Sequence, residues 1–386
     1  MDQNLLKSVR TAFTAEFKSQ PLVVWAPGRI NIIGEHTDYN MGYVLPAAID
    51  LGITLAIQRS KEDQCTIIAH DLDEKYTFHL FQKNSEAHKG WQAYFLGILE
   101  ELRKAAIKIE PFNLLFSGDI PAGAGLSSSA ALENAFIFGL NSLFELRLSP
   151  MEMIQISHSA EHNYVGVQCG IMDQYISMYG KDDHAIFLDC QSLKSELIPL
   201  KDENFEWLLL NTQVKHSLAD SAYNQRRISC ESVAKQLGAK SLREVNSELL
   251  YQNQAAIPQE DFQKALYVIQ ENNRVLLAVQ AIKEKDFEAL GRLMYESHEG
   301  LQHQYEVSCD ELDFLVDLSR EQEGVLGARM MGGGFGGCTL NLVKKVACLS
   351  FLNIANGLYQ KRFGTVLSSF IVKPGEGCRL VPQEPN

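Results

Sequence analysis

The sequence predicts a two-domain protein that mixes strands and helices, and three observations carry that expectation. At 386 residues the chain is long for a single hydrophobic core. Short apolar runs that read as strands are frequent in the first half, whereas beyond about residue 200 long helical segments follow one strand. Three glycine-rich stretches interrupt these elements, and all have apolar neighbours. The expected domains are therefore 1–200 and 201–386.

Residues 1–20 read as an amphipathic helix, because Leu5, Val9, Phe13 and Phe17 recur four apart on one face. A strand over 22–26 then enters Ala26-Pro27-Gly28-Arg29-Ile30-Asn31-Ile32-Ile33-Gly34-Glu35-His36-Thr37-Asp38-Tyr39-Asn40, where polar groups crowd between bends. Arg29, Glu35, His36 and Asp38 supply both donors and acceptors to a compact polar ligand such as a sugar. Such composition is more often a solvated hairpin loop. The apolar flanks argue instead for a loop rising out of a core. Further strands are expected over 43–48, 52–57, 65–69 and 75–80, the last alternating Tyr76, Phe78 and Leu80. A helix over 91–108 turns Tyr94, Leu96, Ile98 and Leu102 inward, and Trp91 reads as a core aromatic before a base-stacking one.

A strand over 112–116 runs into Ser117-Gly118-Asp119-Ile120-Pro121-Ala122-Gly123-Ala124-Gly125-Leu126-Ser127-Ser128-Ser129-Ala130-Ala131-Leu132, and an alanine-rich helix from Ser128 to about residue 144 leaves it. Such a turn can hold phosphate. Glycines let backbone N–H groups approach an anion, and the first turn of a helix favours negative charge. No Gly-Lys-[Ser/Thr] follows the glycines, so this is not a Walker A loop. A flexible turn with a serine N-cap is the plain alternative.

Ser149-Pro150-Met151-Glu152 is a capping box that starts the next helix. That helix carries His158-Ser159-Ala160-Glu161-His162, an H-x-x-E-H pattern whose two histidines share a face and could bind zinc. Glu161 could equally complete a magnesium site with phosphate oxygens and water. After a break over 166–170, Asp173 sits in an apolar setting, where a carboxylate must find a partner. It is a candidate base or orienting group, or else a helix cap. A strand over 184–189 closes the first domain.

The second domain opens with a strand over 205–211 and continues with helices over 218–237, 262–283, 287–298 and 309–321. Tyr223, Asn224, Arg226 and Arg227 lie on the first of these, facing either ligand or solvent. Gly332-Gly333-Gly334-Phe335-Gly336-Gly337 leaves little room for side chains and implies close approach of one backbone to another or to a ligand. A helix over 346–363 and a strand over 366–372 end the pattern.

The net charge of −13 repels nucleic acid and anionic membrane, so a polyanionic ligand must be met by local positive charge or a metal. Eight scattered cysteines form no Cys-x-x-Cys pair, which argues against a zinc ribbon or a thioredoxin-like site. Neither a secretory leader nor an apolar run of ~18 residues is visible, so a cytoplasmic protein with free thiols is expected.

With these stretches in this order, the sequence resembles the GHMP small-molecule kinases, and within them the galactokinases, over essentially its full length. Residues 28–39 resemble the galactokinase sugar signature, 121–130 the family's phosphate loop and 332–337 its third motif. The resemblance implies an α+β fold, with an N-terminal domain like ribosomal protein S5, a ferredoxin-like C-terminal domain and the site in the cleft between them. It implies ATP-dependent phosphorylation of the C1 hydroxyl of α-D-galactose. By the same likeness, Asp173 and Arg29 match the catalytic pair, Glu35, His36, Asp38, Gly170 and Tyr223 the galactose contacts, and Ser129 and Glu161 the Mg²⁺ ligands. Pro121, Ala122, Gly123, Ala124, Gly125, Leu126, Ser127, Ser128 and Ser129 match the ATP-binding residues. Galactose and ATP are the expected partners of a monomer. A kinase for N-acetylgalactosamine or arabinose, a non-catalytic galactose sensor and a zinc peptidase are the rivals. The sensor is disfavoured because the small residues of 127–131 are intact. Gln168 departs from the family's proline, and Gln302-His303-Gln304 from a more charged stretch.

Overall fold

The computed structural model describes residues 1–80, 90–121, 123–214 and 219–382. Ala122, one of the expected ATP-binding residues, lies outside the described residues.

Val23-Val24-Trp25-Ala26 is apolar without alternation because its sheet is covered on both faces. Val23 and Trp25 pack with Leu6, Val9 and Phe13 of the N-terminal helix Gln3–Phe17. Val24 and Ala26 point the other way, into a core with Phe95, Ala131, Ala135 and Phe136. Those residues belong to the helices Gln92–Lys104 and Ser128–Phe144. The sheet has six strands in the order Arg379–Leu380, Leu22–Asn31, Pro46–Arg59, Phe112–Gly118, Cys65–Ala69 and Glu74–Phe78. Its neighbours are antiparallel except for Cys65–Ala69 beside Phe112–Gly118. The chain thus returns to its first sheet at the end, where Leu380 pairs with Val24.

A second sheet of four antiparallel strands follows the order Val325–Met330, Cys338–Lys344, Phe205–Asn211, Ser368–Val372. Leu208 and Leu210 face Phe351 and Tyr359 of the helix Cys348–Phe363. Trp207 and Leu209 face a cluster that also holds Ile30, Ile32, Val275 and Leu340. That one core joins residues of both halves, which fixes the walls of the cleft. A third sheet, Tyr43–Val44, His184–Asp189 and Lys194–Pro199, flanks it.

Most expected elements are present, and Cys65–Ala69, Ser128–Phe144, His184–Asp189 and Phe205–Asn211 fall where the sequence puts them. The differences have local causes. The first strand does not stop at residue 26: it continues to Asn31, with a register shift between Pro27 and Arg29 that absorbs the proline. Pro46–Arg59 is one strand through an expected break, since Leu22–Asn31 pairs with it on both sides of that break, from Pro46 to Ile57. The helix expected to reach 108 ends at Lys104, where Ala106 takes a positive φ of 57°. The strand Lys194–Pro199 and the short helix Ser247–Gln252 carry no strong apolar period and were not anticipated.

Candidate active site

Pro121 and the segment from Gly123 to Ser127 lie between the strand Phe112–Gly118 and the helix Ser128–Phe144. Gly123 and Gly125 take positive φ, of 72° and 70°. Ser127 occupies the N-cap position but makes no capping bond; its hydroxyl donates to Asp173 Oδ2. The plain capped turn is therefore not what forms. The glycine-rich turn after Met330 lies directly against this loop. A Cβ at Gly332, whose φ is +85°, would lie 3.1 Å from the Gly125 carbonyl oxygen. This is the backbone-on-backbone approach that the glycines imply.

The register shift after Pro27 sets Arg29 on a strand, 4% exposed, rather than in a loop. Its Nε donates to Asp173 Oδ1 at 2.9 Å and its Nη2 to Oδ2 at 3.1 Å, a two-point pair, while Nη1 donates to the Gly125 carbonyl. Asp173 stands in the first turn of the helix Met172–Tyr179, whose N-cap is Ile171. Its carboxylate is thus no cap; it joins the sugar-signature strand to the phosphate loop.

The segment after that strand folds into the cavity. Glu35 Oε1 accepts the Gly332 N–H at 2.8 Å and lies 3.1 Å from Arg329 Nη2, a fully buried guanidinium. His36 has a positive φ of 62°; its Nδ1 meets the Tyr39 hydroxyl at 2.8 Å and its buried Nε2 has no partner. Burial, with the charges of Arg226 and Arg329, pushes the His36 pKa down to about 3, so the ring is neutral. Asp38 is buried, and burial together with nearby Asp173 pushes its carboxyl up to about 7. Gly170 abuts it: a Cβ there would lie 2.2 Å from Asp38 Cγ. The Tyr223 ring lies 5.2 Å from that of His36.

On the other wall, Ser129 Oγ donates to Glu161 Oε1 at 3.1 Å, and Gln174 Nε2 to Glu161 Oε2 at 2.6 Å. Burial and then Asp173 push Glu161 up to about 7, while burial and then Glu161 hold Glu133 well above the usual carboxylate range. Buried carboxyls held this way mark a place short of positive charge. The helix Pro150–Ala160 starts with the expected capping box and passes into a π-type turn over Glu161–Val165. Glu161 there reaches Ser129, whereas His158 and His162 both turn their Nε2 atoms to the Cys169 carbonyl, at 3.2 and 2.7 Å.

One cavity of about 380 Å³ is lined by Arg29, Glu35, His36, Asp38, Asp173 and Tyr223, by Ser129 and Glu161, and by Pro121 and the described loop from Gly123 to Ser128. Gly170 is set behind Asp38 rather than on the cavity wall.

Comparison with known proteins agrees with this geometry. The galactokinase galactose-binding signature matches residues 11–59, the GHMP kinases N terminal domain 93–181 and the GHMP kinases C terminal domain 278–346. A galactokinase from Thermotoga petrophila is 44% identical over 358 residues, 93% of this chain and 99% of that protein. The galactokinase of Homo sapiens is 38% identical over 385 residues, 98% of this chain and 97% of its own. The chain belongs to the galactokinase family. The crystal structure of Lactococcus lactis galactokinase complexed with galactose superposes with a TM-score of 0.93 at 32% identity, covering 97% of this chain and 100% of that one. The α+β GHMP fold expected from the resemblance is therefore present, and the protein is a kinase that uses ATP as co-substrate.

Family membership leaves some features of the site for the structure to supply. Arg329 was not anticipated; its one signal is a lone arginine within the apolar strand Val325–Met330. Gln174, which bridges Glu133 and Glu161, gave no signal beyond following Asp173. Trp91 packs edge-on against Phe95 and Phe116 as a core aromatic, while Tyr94 reaches the cavity wall. Asn224, Arg226 and Arg227 hold backbone: Asn224 Oδ1 accepts the Gln168 N–H at 3.1 Å, a bond that a proline at that position could not form. No helix among the described residues is long and apolar enough to cross a membrane.

Proposed function

We propose that the protein phosphorylates the C1 hydroxyl of α-D-galactose from ATP, giving galactose 1-phosphate and ADP, and that the residues assembled above do it. The observation that carries this reading is the Arg29–Asp173 pair, set where the glycine loop meets the sugar-signature segment in one cavity. A phosphate donor on the loop and a sugar beside Glu35, His36 and Asp38 would meet there.

Positioning supplies most of the rate in phosphoryl transfer. Asp173 Oδ1 accepts one bond from Arg29 and keeps capacity for a second, from the reacting hydroxyl. Arg29 holds that carboxylate and offers charge to the phosphoryl oxygens during transfer. The unpartnered His36 Nε2 and the Asp38 carboxyl suit ring hydroxyls, which can both donate and accept. Ser129 and Glu161 fit Mg²⁺: an oxygen pair 3.1 Å apart beside carboxyls driven up by burial would gain from a cation. When bound, Mg²⁺ would neutralise phosphate charge in a chain of net charge −13. Action as a cytoplasmic monomer belongs to the same proposal; all eight cysteines are free, as a reducing compartment would leave them.

An ADP-release assay across galactose, glucose, N-acetylgalactosamine and arabinose tests the reading. Galactose should give the highest kcat/KM; no turnover on galactose, or a clear preference for another sugar, rejects it.

A further inference from the structure

The histidines of the H-x-x-E-H pattern are not spent on the kinase site. Glu161 turns to Ser129, and the two histidines are left on another face with a cysteine. One potential ligand atom from each of His158, His162 and Cys169 lies within 4.8 Å of the other two. We propose that these three side chains bind a divalent ion of the zinc class, separate from the magnesium position, and that occupancy slows turnover.

The i, i+4 spacing on a helix and the turn at Glu161–Val165 hold the two imidazoles with ring centres 4.1 Å apart. Zinc takes nitrogen and sulfur at ~2.0–2.3 Å in tetrahedral geometry, so its ligands stand roughly 3.5 Å apart. Closing the cluster therefore needs a shift of about an ångström, with solvent filling the fourth position. All three residues are partly exposed, which gives the ion a way in. Burial lowers the pKa of both histidines, His158 to about 4, so the rings are neutral; each Nε2–H donates to the Cys169 carbonyl, and binding through Nε2 gives up that bond and moves the ring proton to Nδ1. A thiolate with two imidazoles favours zinc-like ions over magnesium, which prefers oxygen. Burial and the neighbouring carboxylates hold the Cys169 thiol well above its usual range. Binding therefore breaks the S–H bond as the S–metal bond forms, and one proton leaves to solvent.

The coupling to turnover is short. Cys169 Sγ now lies 3.5 Å from Glu161 Oε2 as its hydrogen-bond donor, and the next residue, Gly170, braces Asp38. Metallation removes that donor from Glu161 and draws the Cys169–Gly170 backbone towards the histidines. The binding half stands by itself; the inhibitory half rests on the kinase reading above.

Metal-free protein titrated with Co²⁺ reads the binding half without any substrate. Wild type should take up one equivalent, with tetrahedral visible bands and a thiolate-to-cobalt charge-transfer band, and Cys169→Ser should lose the latter. Even outer-shell changes weaken metal sites by ~10–100-fold, so His158→Gln and His162→Gln should each lose at least ~10-fold in affinity. Absence of the charge-transfer band in wild type, or unaltered binding in both histidine variants, overturns the site. For the second half, Zn²⁺ should inhibit wild type at saturating Mg-ATP, and His158→Gln, with normal basal turnover, should need at least ~10-fold more Zn²⁺. Equal inhibition of the two proteins, or its relief by excess Mg²⁺, would place the ion at Ser129 and Glu161 and overturn the coupling. Failure of the kinase reading would show separately, as lack of turnover on galactose without added zinc.

Discussion

Two arginine–carboxylate pairs build this cleft, and they differ in what else can touch them. Arg329 and Glu35 are 0% and 3% exposed, and their remaining bonds go to backbone: Arg329 to the Asn31 and Ile32 carbonyls, Glu35 to the Gly332 N–H. The Arg29 and Asp173 side chains are 5% and 25% exposed, and the further partners are the Gly125 carbonyl and the Ser127 hydroxyl of the phosphate loop. The first pair clamps the sugar-signature segment to the third glycine stretch. The second presents a half-open carboxylate to the cavity. The same two functional groups thus serve as a brace or as a reactive centre, and the greater exposure of the Asp173 carboxylate makes the difference.

The largest expected effect should separate the pairs by activity. Asp173→Asn keeps the shape but removes the charge, and loss of a positioned proton acceptor typically lowers the rate by ~10²–10⁴-fold. We expect that loss in kcat with little change in galactose affinity; steady-state kinetics giving near-normal kcat would falsify the role. Next comes Arg329→Met, which strands a buried Glu35. Breaking one side of such a pair costs about 3–5 kcal/mol, and urea unfolding should show it. Adding Glu35→Gln should recover part of that stability, and an additive double variant would argue against a coupled brace.

Gly332→Ala should come third. A side chain at φ +85° costs about 1–2 kcal/mol, and its Cβ would press on the Gly125 carbonyl at 3.1 Å. Because that carbonyl belongs to the phosphate loop, KM for ATP should rise more than KM for galactose. Equal changes in both would detach the third stretch from nucleotide binding.

The smallest effect concerns Asp38, whose folded pKa of about 7 lies above an ordinary value of 3.8. Its proton stabilises the fold below the unfolded value, and that contribution is lost as pH rises towards about 7. Asp38→Asn should remove this loss. The unliganded variant should gain on wild type as pH rises from acid to neutral. Thermal unfolding at both ends of that window checks it; a constant difference would show that folding leaves the Asp38 pKa unshifted.

The signals that located this site were local ones. Gly123 and Gly125 mark a loop with positive φ, the capping box marks a helix start, and the period of 2 marks strands. Local signals were also where the reading failed. Pro27-Gly28 looked like the end of a strand, yet a register shift let pairing continue and carried Arg29 into the sheet. His158-Ser159-Ala160-Glu161-His162 looked like one motif, yet the π-type turn sends Glu161 to Ser129 and leaves the histidines with Cys169.

By itself, then, the sequence determined which residue types occur in which turns, because backbone conformation near glycine, proline and helix caps depends on immediate neighbours. Only the tertiary structure decided that Arg29 meets a carboxylate 144 positions away, and that Arg329 closes on Glu35. Those choices depend on which charges the packed core hides from water and which it leaves facing a cavity. Burial of that kind exists only once the sheets are packed together.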